Sequence, residues 1–409
     1  MRILLYSYNY YPEPIGIAPL MTELAEGLVK RGHQVRVLTA FPWYPNSEID
    51  PEYRGKIYLE EERNGVKIQR SYVWARPQRS LKNRIFFELS FVFLSFFQAL
   101  KGEKPDLIFL TVPGLPVCVP AALLSKLYGV PIILNLQDIL PDAAVHVGLL
   151  TNQKMIKVFS SLEKFAYKTA SKISVIADGF TKNLLTKNVP SQKIIEIPNW
   201  VDVSFIKPLP KNHNYFRQEN HLERKFVVLY SGNIALTQPL ETLIDAAVQL
   251  VNIPEIKVVI VGKKEALDRL EKYRQQQGAS NVLLLPFQSR EKLPEMLAAA
   301  DVGMVMQKHN VISFNMPSKI QVLLASGRAI IASVPADGTA ARAIERSGGG
   351  LVVNPEDPEA LATAILKLYK NPDLATILGE KGRQYAEENY AFEKTLDQYE
   401  KLFSQVVSQ

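Results

Sequence analysis

The segment Phe314 to Gly327, FNMPSKIQVLLASG, gathers groups that can hold an anion. Pro317 at a first helical turn sacrifices no hydrogen bond. The free N–H groups of such a turn carry partial positive charge and suit a phosphate. Lys319 adds a full charge beside Pro317 and Ser318, with Asn315 just ahead of them. The plain alternative for Lys319 is a solvated lysine at a helix start. A second phosphate-type turn is Ser231-Gly232-Asn233, between the apolar run Val227–Ser231 and a helix starting near Pro239. Lys263, after Val261-Gly262, could touch a phosphate or stand in solvent.

Proton-transfer candidates lie in the other half. Asp138 and Asp142 flank Pro141 after the apolar run Ile132–Leu136. At the carboxyl edge of a sheet, one carboxylate could orient a substrate hydroxyl or take its proton. Helix capping is the alternative use of either residue. Asp138 is the candidate base, and His146 in AAVHVG is a second candidate beside a packing or capping role. The long loop Ser7–Pro19 holds Gly16-Ile17-Ala18 at a helix entry, where glycine lets a ligand approach the backbone. An ordinary turn explains the same residues. The five histidines show no metal-ligand spacing.

The elements that must position these residues alternate between strand and helix. Apolar runs at Ile3–Tyr8, Val35–Thr39, Asp106–Thr111, Ile132–Leu136, Lys172–Ile176 and Ile194–Ile197 predict strands of a parallel sheet buried on both faces. The pattern pauses in the Pro- and Asn-rich stretch Pro198–Asn220. A second series follows with strands at Val227–Ser231, Lys257–Val261, Val282–Leu285, Val302–Met306, Ala329–Ser333 and Leu351–Val353. With 409 residues, two cores are expected. The division is 1–203, a linker 204–224, a second domain 225–390, and a C-terminal helix 391–409 packing back toward the first domain. Both domains read as doubly wound α/β sheets, which bind ligands beyond the strands' carboxyl ends. The cleft between them is the expected site.

Hydrophobic content of 47% and charged content of 22% fit a soluble globular chain. The single cysteine, Cys118, can form no internal disulfide and reads as a core residue. The apolar part of the N-terminus is too short for a signal peptide. No apolar run is long enough to span a bilayer. Residues 1–200 carry 24 Lys and Arg against 17 Asp and Glu, and the remainder balances at 24 of each. Anionic partners are therefore expected at the first half. There Arg76, Arg79, Lys82 and Arg84 precede IFFELSFVFLSFFQAL, whose one charge is Glu88. This is either a core helix or a helix resting in a bilayer interface, with its basic cluster on anionic headgroups. No nucleic-acid motif appears.

Taken together, YYPEPIGIAP (10–19), RGHQVRVLT (31–39), LQDILPD (136–142), IPNWVD (197–202), SGNIALTQPLETLIDAA (231–247), LPEMLAAADVGMV (293–305), MPSKIQVLLASGRAIIAS (316–333) and DGTAARAIERSGGG (337–350) resemble the family-4 glycosyltransferases of GT-B architecture. The resemblance is to the branch that includes colanic acid biosynthesis enzymes. It implies transfer of a sugar, with retention, from a nucleotide diphosphate-sugar (UDP- or GDP-linked) to a hydroxyl. The donor would bind the second domain and the acceptor the first, without metal or other cofactor. It also suggests a saccharide or polyprenyl diphosphate-linked acceptor, and a cytoplasmic protein peripheral to the inner face of the plasma membrane.

The donor-binding candidates are Gly232, Asn233, Gln238, Lys263, Asn315, Pro317, Ser318 and Lys319, with the base near Phe287 and Gln288. The chain departs from the family where two glutamates are usual, since those positions fall on Phe314 and Val322. The usual arginine and lysine after the second-domain glycine fall on Asn233 and Gln238. Lys319 is expected to take over the diphosphate. A nucleotide-sugar 2-epimerase of the same architecture and an inactive partner subunit are the alternative readings.

Overall fold

A computed structural model describes the chain except for Ile15, Pro45, Arg79, Val147, Leu149, Leu236, Ile312, Ser313, Gln409 and the side chain of Leu81. Arg79, expected in the basic cluster, thus lies outside the described residues. The chain forms two units, Met1–Ile197 with Leu396–Gln409, and Pro198–Thr395.

In the first unit the strands are β1 (Arg2–Tyr6), β2 (Gln34–Ala40), β3 (Tyr58–Arg63), β4 (Val66–Ser71), β5 (Leu107–Val112), β6 (Ile132–Leu136), β7 (Lys172–Val175) and β8 (Ile194–Glu196). They form a sheet in the order β3-β4-β2-β1-β5-β6-β7-β8. All pairs are parallel except β3 with β4. β5 and β6 are buried at every position, as a sheet covered on both faces requires. The strand order reverses at β1, so the loop Ser7–Pro19 leaves from a topological switch point.

The β3–β4 hairpin is absent from the strands expected above. Its turn is Asn64-Gly65, with φ of +48° and +79°, the conformation a two-residue type I′ hairpin needs. The run Glu60-Glu61-Glu62 masks its strand character. On β4, Arg70 is fully buried, yet its guanidinium meets Glu61 at 2.6 Å and the Tyr11 carbonyl at 2.5 Å. Arg70 is thus an interior charge with partners, which composition alone reads as surface.

Five helices of this unit matter below: α1 (Ala18–Lys30), α2 (Leu81–Ala99), α3 (Cys118–Tyr128), α4 (Asp142–His146) and α5 (Gln153–Thr169). α2 starts where the Ser80 hydroxyl accepts from the Asn83 N–H at 3.1 Å, a standard N-cap. The C-terminal segment Leu396–Gln409 closes the unit. Its Tyr399 packs edge-on against Phe109 at 5.4 Å, and Asn135 Nδ2 lies 3.1 Å from the Tyr399 hydroxyl. Glu400 pairs with Arg31 and with His33.

The second unit holds β9 (Phe226–Ser231), β10 (Ile256–Gly262), β11 (Val282–Pro286), β12 (Val302–Met306), β13 (Ala329–Ser333) and β14 (Gly350–Val353), in a wholly parallel sheet ordered β11-β10-β9-β12-β13-β14. Its switch point is β9, flanked by β10 and β12. Apolar residues of both sheet faces build two buried clusters, one with Val227, Leu229 and Ile320, the other with Val228, Tyr230 and Ile331.

Two boundaries differ from those expected. The first unit ends at Ile197 rather than residue 203, and the chain returns to it from Leu396 rather than 391. Residues 204–224, expected as a linker, pack into the second unit. Ile206, Phe216 and Leu222 lie in its core, and buried Arg217 pairs with Asp301 at 2.6 Å. Proline and asparagine punctuate the segment as a loop would be punctuated. The apolar residues between them are nevertheless spaced to reach the core.

Candidate active site

In the second unit the site is built at the carboxyl end of β9. Tyr230 is fully buried, and its hydroxyl donates to the Asn233 carbonyl at 2.9 Å, which ties the strand end to the turn beyond it. Gly232 takes φ of +144°, a conformation that L side chains rarely adopt. A Cβ there would stand 3.1 Å from Lys319 Nζ. Sequence-distant Gly232 and Lys319 are therefore neighbours.

Lys319 begins the helix Lys319–Ala325, which is shorter than the run ending at Gly327 suggests. Its Nζ lies 3.6 Å from the Tyr230 ring centre. That nitrogen is shielded from solvent and has no hydrogen-bond acceptor among the described residues. Burial pulls its pKa down to about 7. The ring face offsets part of the lost hydration. What remains is a cation with donor capacity unspent, beside a turn with no side chain in the way. An incoming anion would meet it at low cost in reorganisation.

The surrounding candidates divide into those engaged in holding the site and those left at its margin. Gln238 Oε1 accepts from the Ala235 N–H at 2.8 Å, so it shapes the turn after Gly232. Asn315 accepts from buried Gln307 Nε2 at 3.1 Å, which pins the approach to Pro317. Ser318 and Asn233 are exposed. Ser318 makes no side-chain cap to the helix it precedes. Lys263 is exposed after β10, while Phe287 is exposed and Gln288 half-buried after β11. Gln288 Nε2 donates to the Pro286 carbonyl at 3.0 Å. Phe314 is buried, and Val322 packs on the core, so both positions that would carry carboxylates are apolar.

In the first unit, Asp138 lies just past β6. Its Oδ1 accepts from the Ile139 N–H at 2.9 Å, and burial raises its pKa. A carboxylate so raised is a better proton acceptor. Asp142 is held by Lys187 at 2.8 Å and by Asn183 Nδ2 at 3.1 Å, a structural use. His146 ends α4 and is exposed. Gly16 is exposed with φ of +74°, Ile17 caps α1, and Ala18 is its buried first residue.

Sequence reasoning misses two residues that set these loops. Tyr230 hides in an apolar strand, and only its position two before Gly232 hints at a role. Glu13 anchors the Ser7–Pro19 loop by accepting from the N–H groups of Trp43 at 2.9 Å and Tyr44 at 2.8 Å, and from Asn9 at 2.7 Å.

Two doubly wound parallel-sheet units, each with its ligand-type loop at the switch strand, are the GT-B architecture of glycosyltransferases. The chain belongs to the glycosyl transferases group 1, whose family model matches residues 211–385, while the glycosyl transferase 4-like domain matches residues 16–200. It is 33% identical over 408 residues to the Escherichia coli (strain K12) protein described as a colanic acid biosynthesis glycosyl transferase, WcaI, covering 98% of each chain. Among solved structures it resembles sucrose-phosphate synthase from Thermosynechococcus elongatus, with TM-score 0.76, 19% identity, and coverage of 100% of this chain and 99% of that one. It also resembles Anabaena HepE in complex with UDP-glucose, with TM-score 0.72, 17% identity, and coverage of 99% and 100%.

Proposed function

We propose that this glycosyltransferase moves a sugar, with retention, from a nucleotide diphosphate-sugar to a hydroxyl of a lipid-linked acceptor in surface polysaccharide assembly. The observation that carries the reading is Lys319: a shielded, unpaired ammonium beside Gly232 at the switch strand of the second unit. In the reaction the bond from the anomeric carbon to the diphosphate oxygen breaks, and a bond to the acceptor oxygen forms. Negative charge grows on the departing diphosphate, and Lys319 neutralises it without a metal. Asp138 takes or steers the acceptor proton from the first unit. The described name of the Escherichia coli relative supports the pathway, and the UDP-glucose held by the Anabaena protein supports the donor class.

A membrane partner accords with α2, which is apolar on its outward side as well as its inward one. Its inward side carries Phe87 and Phe91 together with Glu88, Ser95 and Gln98, all buried, with Glu88 accepting from Tyr8 and Ser95 meeting Tyr6. Its outward side exposes Phe86, Leu89, Phe93 and Phe97, with Phe93 at 64%. Neighbouring α3 exposes Leu123 and Leu127, and α5 exposes Val158 and Phe165. Lys82, Lys101, Lys126, Lys157 and Lys164 border these apolar residues and are exposed. No described helix is long and apolar enough to cross a membrane. We read this face as lying on an anionic bilayer surface at the inner side of the plasma membrane.

The test is a thermal-shift screen of UDP- and GDP-sugars, followed by product analysis with membrane lipid extract as acceptor. A donor that raises the melting temperature and yields an α- or β-glycoside of the donor's own configuration is expected. An epimerised donor, or binding without turnover, contradicts the proposal.

A further inference from the structure

Glu356 takes φ of +57°, the left-handed region that glycine adopts freely and long side chains avoid. The other described non-glycine residues at positive φ are serine, asparagine and histidine. Glu356 stands in the loop between β14 and the helix Pro358–Lys370. Asp357 caps that helix, accepting from the Ala360 N–H at 2.9 Å. The Glu356 carboxylate reaches across to the segment after β12. There its Oε2 accepts from the His309 backbone N–H at 2.9 Å and also meets His309 Nδ1. An ionised carboxylate only accepts, so Nδ1 carries the proton. The His309 backbone N–H holds the Glu356 carboxyl below its usual range.

The strand ends around this contact are tied in series. The Lys308 N–H donates to the Thr237 carbonyl at 3.0 Å, in the turn that follows Gly232. The Gln307 N–H donates to the Ser333 carbonyl at 2.9 Å, and the Ser333 hydroxyl donates to the Asn354 carbonyl at 3.2 Å. Gln307 Nε2 holds Asn315, two residues before Pro317. Residues 307–311 are therefore bonded to the Gly232 turn on one side and to the approach to Lys319 on the other. Stability alone does not account for Glu356. Its partner His309 is largely exposed, and exposed ion pairs contribute little. Glycine would take the same backbone without strain. Backbone strain of this kind persists where function uses it.

We propose that Glu356 is a positioning residue of the nucleotide-sugar site. It braces residues 307–311 through His309, so that the Gly232 turn and the approach to Lys319 are set before the diphosphate arrives. Order established before binding does not subtract from affinity. Glu356 acts through His309 and Lys308 rather than by touching the donor. The inference rests on the transferase reading above, which gives the second unit the donor.

The probes are UDP and GDP, titrated calorimetrically into the full chain and its variants. Glu356→Gly should bind the nucleotide that the unaltered protein prefers about fivefold more weakly or worse. Its melting temperature should be equal or higher, because the strain is gone. Glu356→Gln keeps an oxygen for the His309 N–H and should stay within about twofold of the unaltered affinity. Should Glu356→Gly not fold, Glu356→Asn replaces it, with the same loss expected. Asparagine tolerates the left-handed region but is one methylene shorter. A purely structural role predicts affinity and melting temperature falling together. That result, full affinity in the folded variants, or a loss in Glu356→Gln as large as in Glu356→Gly overturns the proposal while the transferase reading stands. Failure of both nucleotides to bind the unaltered protein removes the transferase reading, and the positioning role with it.

Discussion

Lys319 Nζ sits 3.6 Å from the centre of the Tyr230 ring, with no hydrogen-bond acceptor among the described residues. The two residues come from a helix start and a strand end almost ninety positions apart. A buried cation without an anion is costly unless a ligand supplies the charge. The pair therefore reads as a site prepared for a diphosphate.

The first consequence is a pH dependence. Burial sets the Lys319 pKa at about 7, below its ordinary value. Only the protonated form attracts the donor, whose diphosphate stays ionised. Nucleotide-sugar affinity should weaken as pH rises from 7, by up to tenfold per unit, until the raised pKa of the complex is passed. The unliganded protein behaves oppositely. Its folded state holds fewer protons than the unfolded one between pH 7 and about 10.4, so this group makes stability rise with pH there. Calorimetric titrations at pH 6.5 to 9, with melting scans alongside, check both signs.

Gly232→Ala should weaken the same site by crowding it. The new methyl group would stand 3.1 Å from Lys319 Nζ, on a backbone at φ of +144°. Strain of roughly 1–3 kcal/mol is expected, seen as a lower denaturant midpoint. Donor affinity should fall further than that strain explains, because the ammonium must shift.

Most of the fold was legible in the residues, because buried parallel strands are apolar runs that announce themselves. The Tyr58–Ser71 hairpin was not, since its glutamate run reads as a solvated loop and buried Arg70 as a surface residue. The stretch 204–224 was misread because proline and asparagine look alike in a linker and in a packed irregular segment. Of the candidate site, Gly232 and Lys319 stand out in the sequence by their local chemistry. Their adjacency, and the ring of Tyr230 beneath them, depend on where β9 and the helix Lys319–Ala325 meet, which spacing does not encode. The bonds that join Thr237, Lys308, His309 and Glu356 link three loops with no common motif.

Asp138→Asn isolates the acceptor step. The amide oxygen can still accept from the Ile139 N–H, so the fold should hold. Turnover should drop about 10²- to 10⁴-fold, with donor affinity unchanged, as measured by initial rates at saturating donor.

The exposed side of α2 gives a prediction on membranes. Leu89→Glu/Phe93→Glu replaces two of its most exposed apolar side chains. Each apolar side chain buried contributes about 1.5–3 kcal/mol, so sedimentation with phosphatidylglycerol vesicles should weaken at least tenfold. Nucleotide-sugar affinity in solution should not change.

The most direct measurement is calorimetric titration of the cognate nucleotide-sugar into the unaltered protein and into Lys319→Ala at pH 6.5. A hydrogen-bonded charge contact contributes about 1.5–3 kcal/mol, which predicts affinity 10- to 150-fold weaker in the variant, with its melting temperature equal or higher. Equal affinity in the two proteins would contradict the assignment of the diphosphate to Lys319.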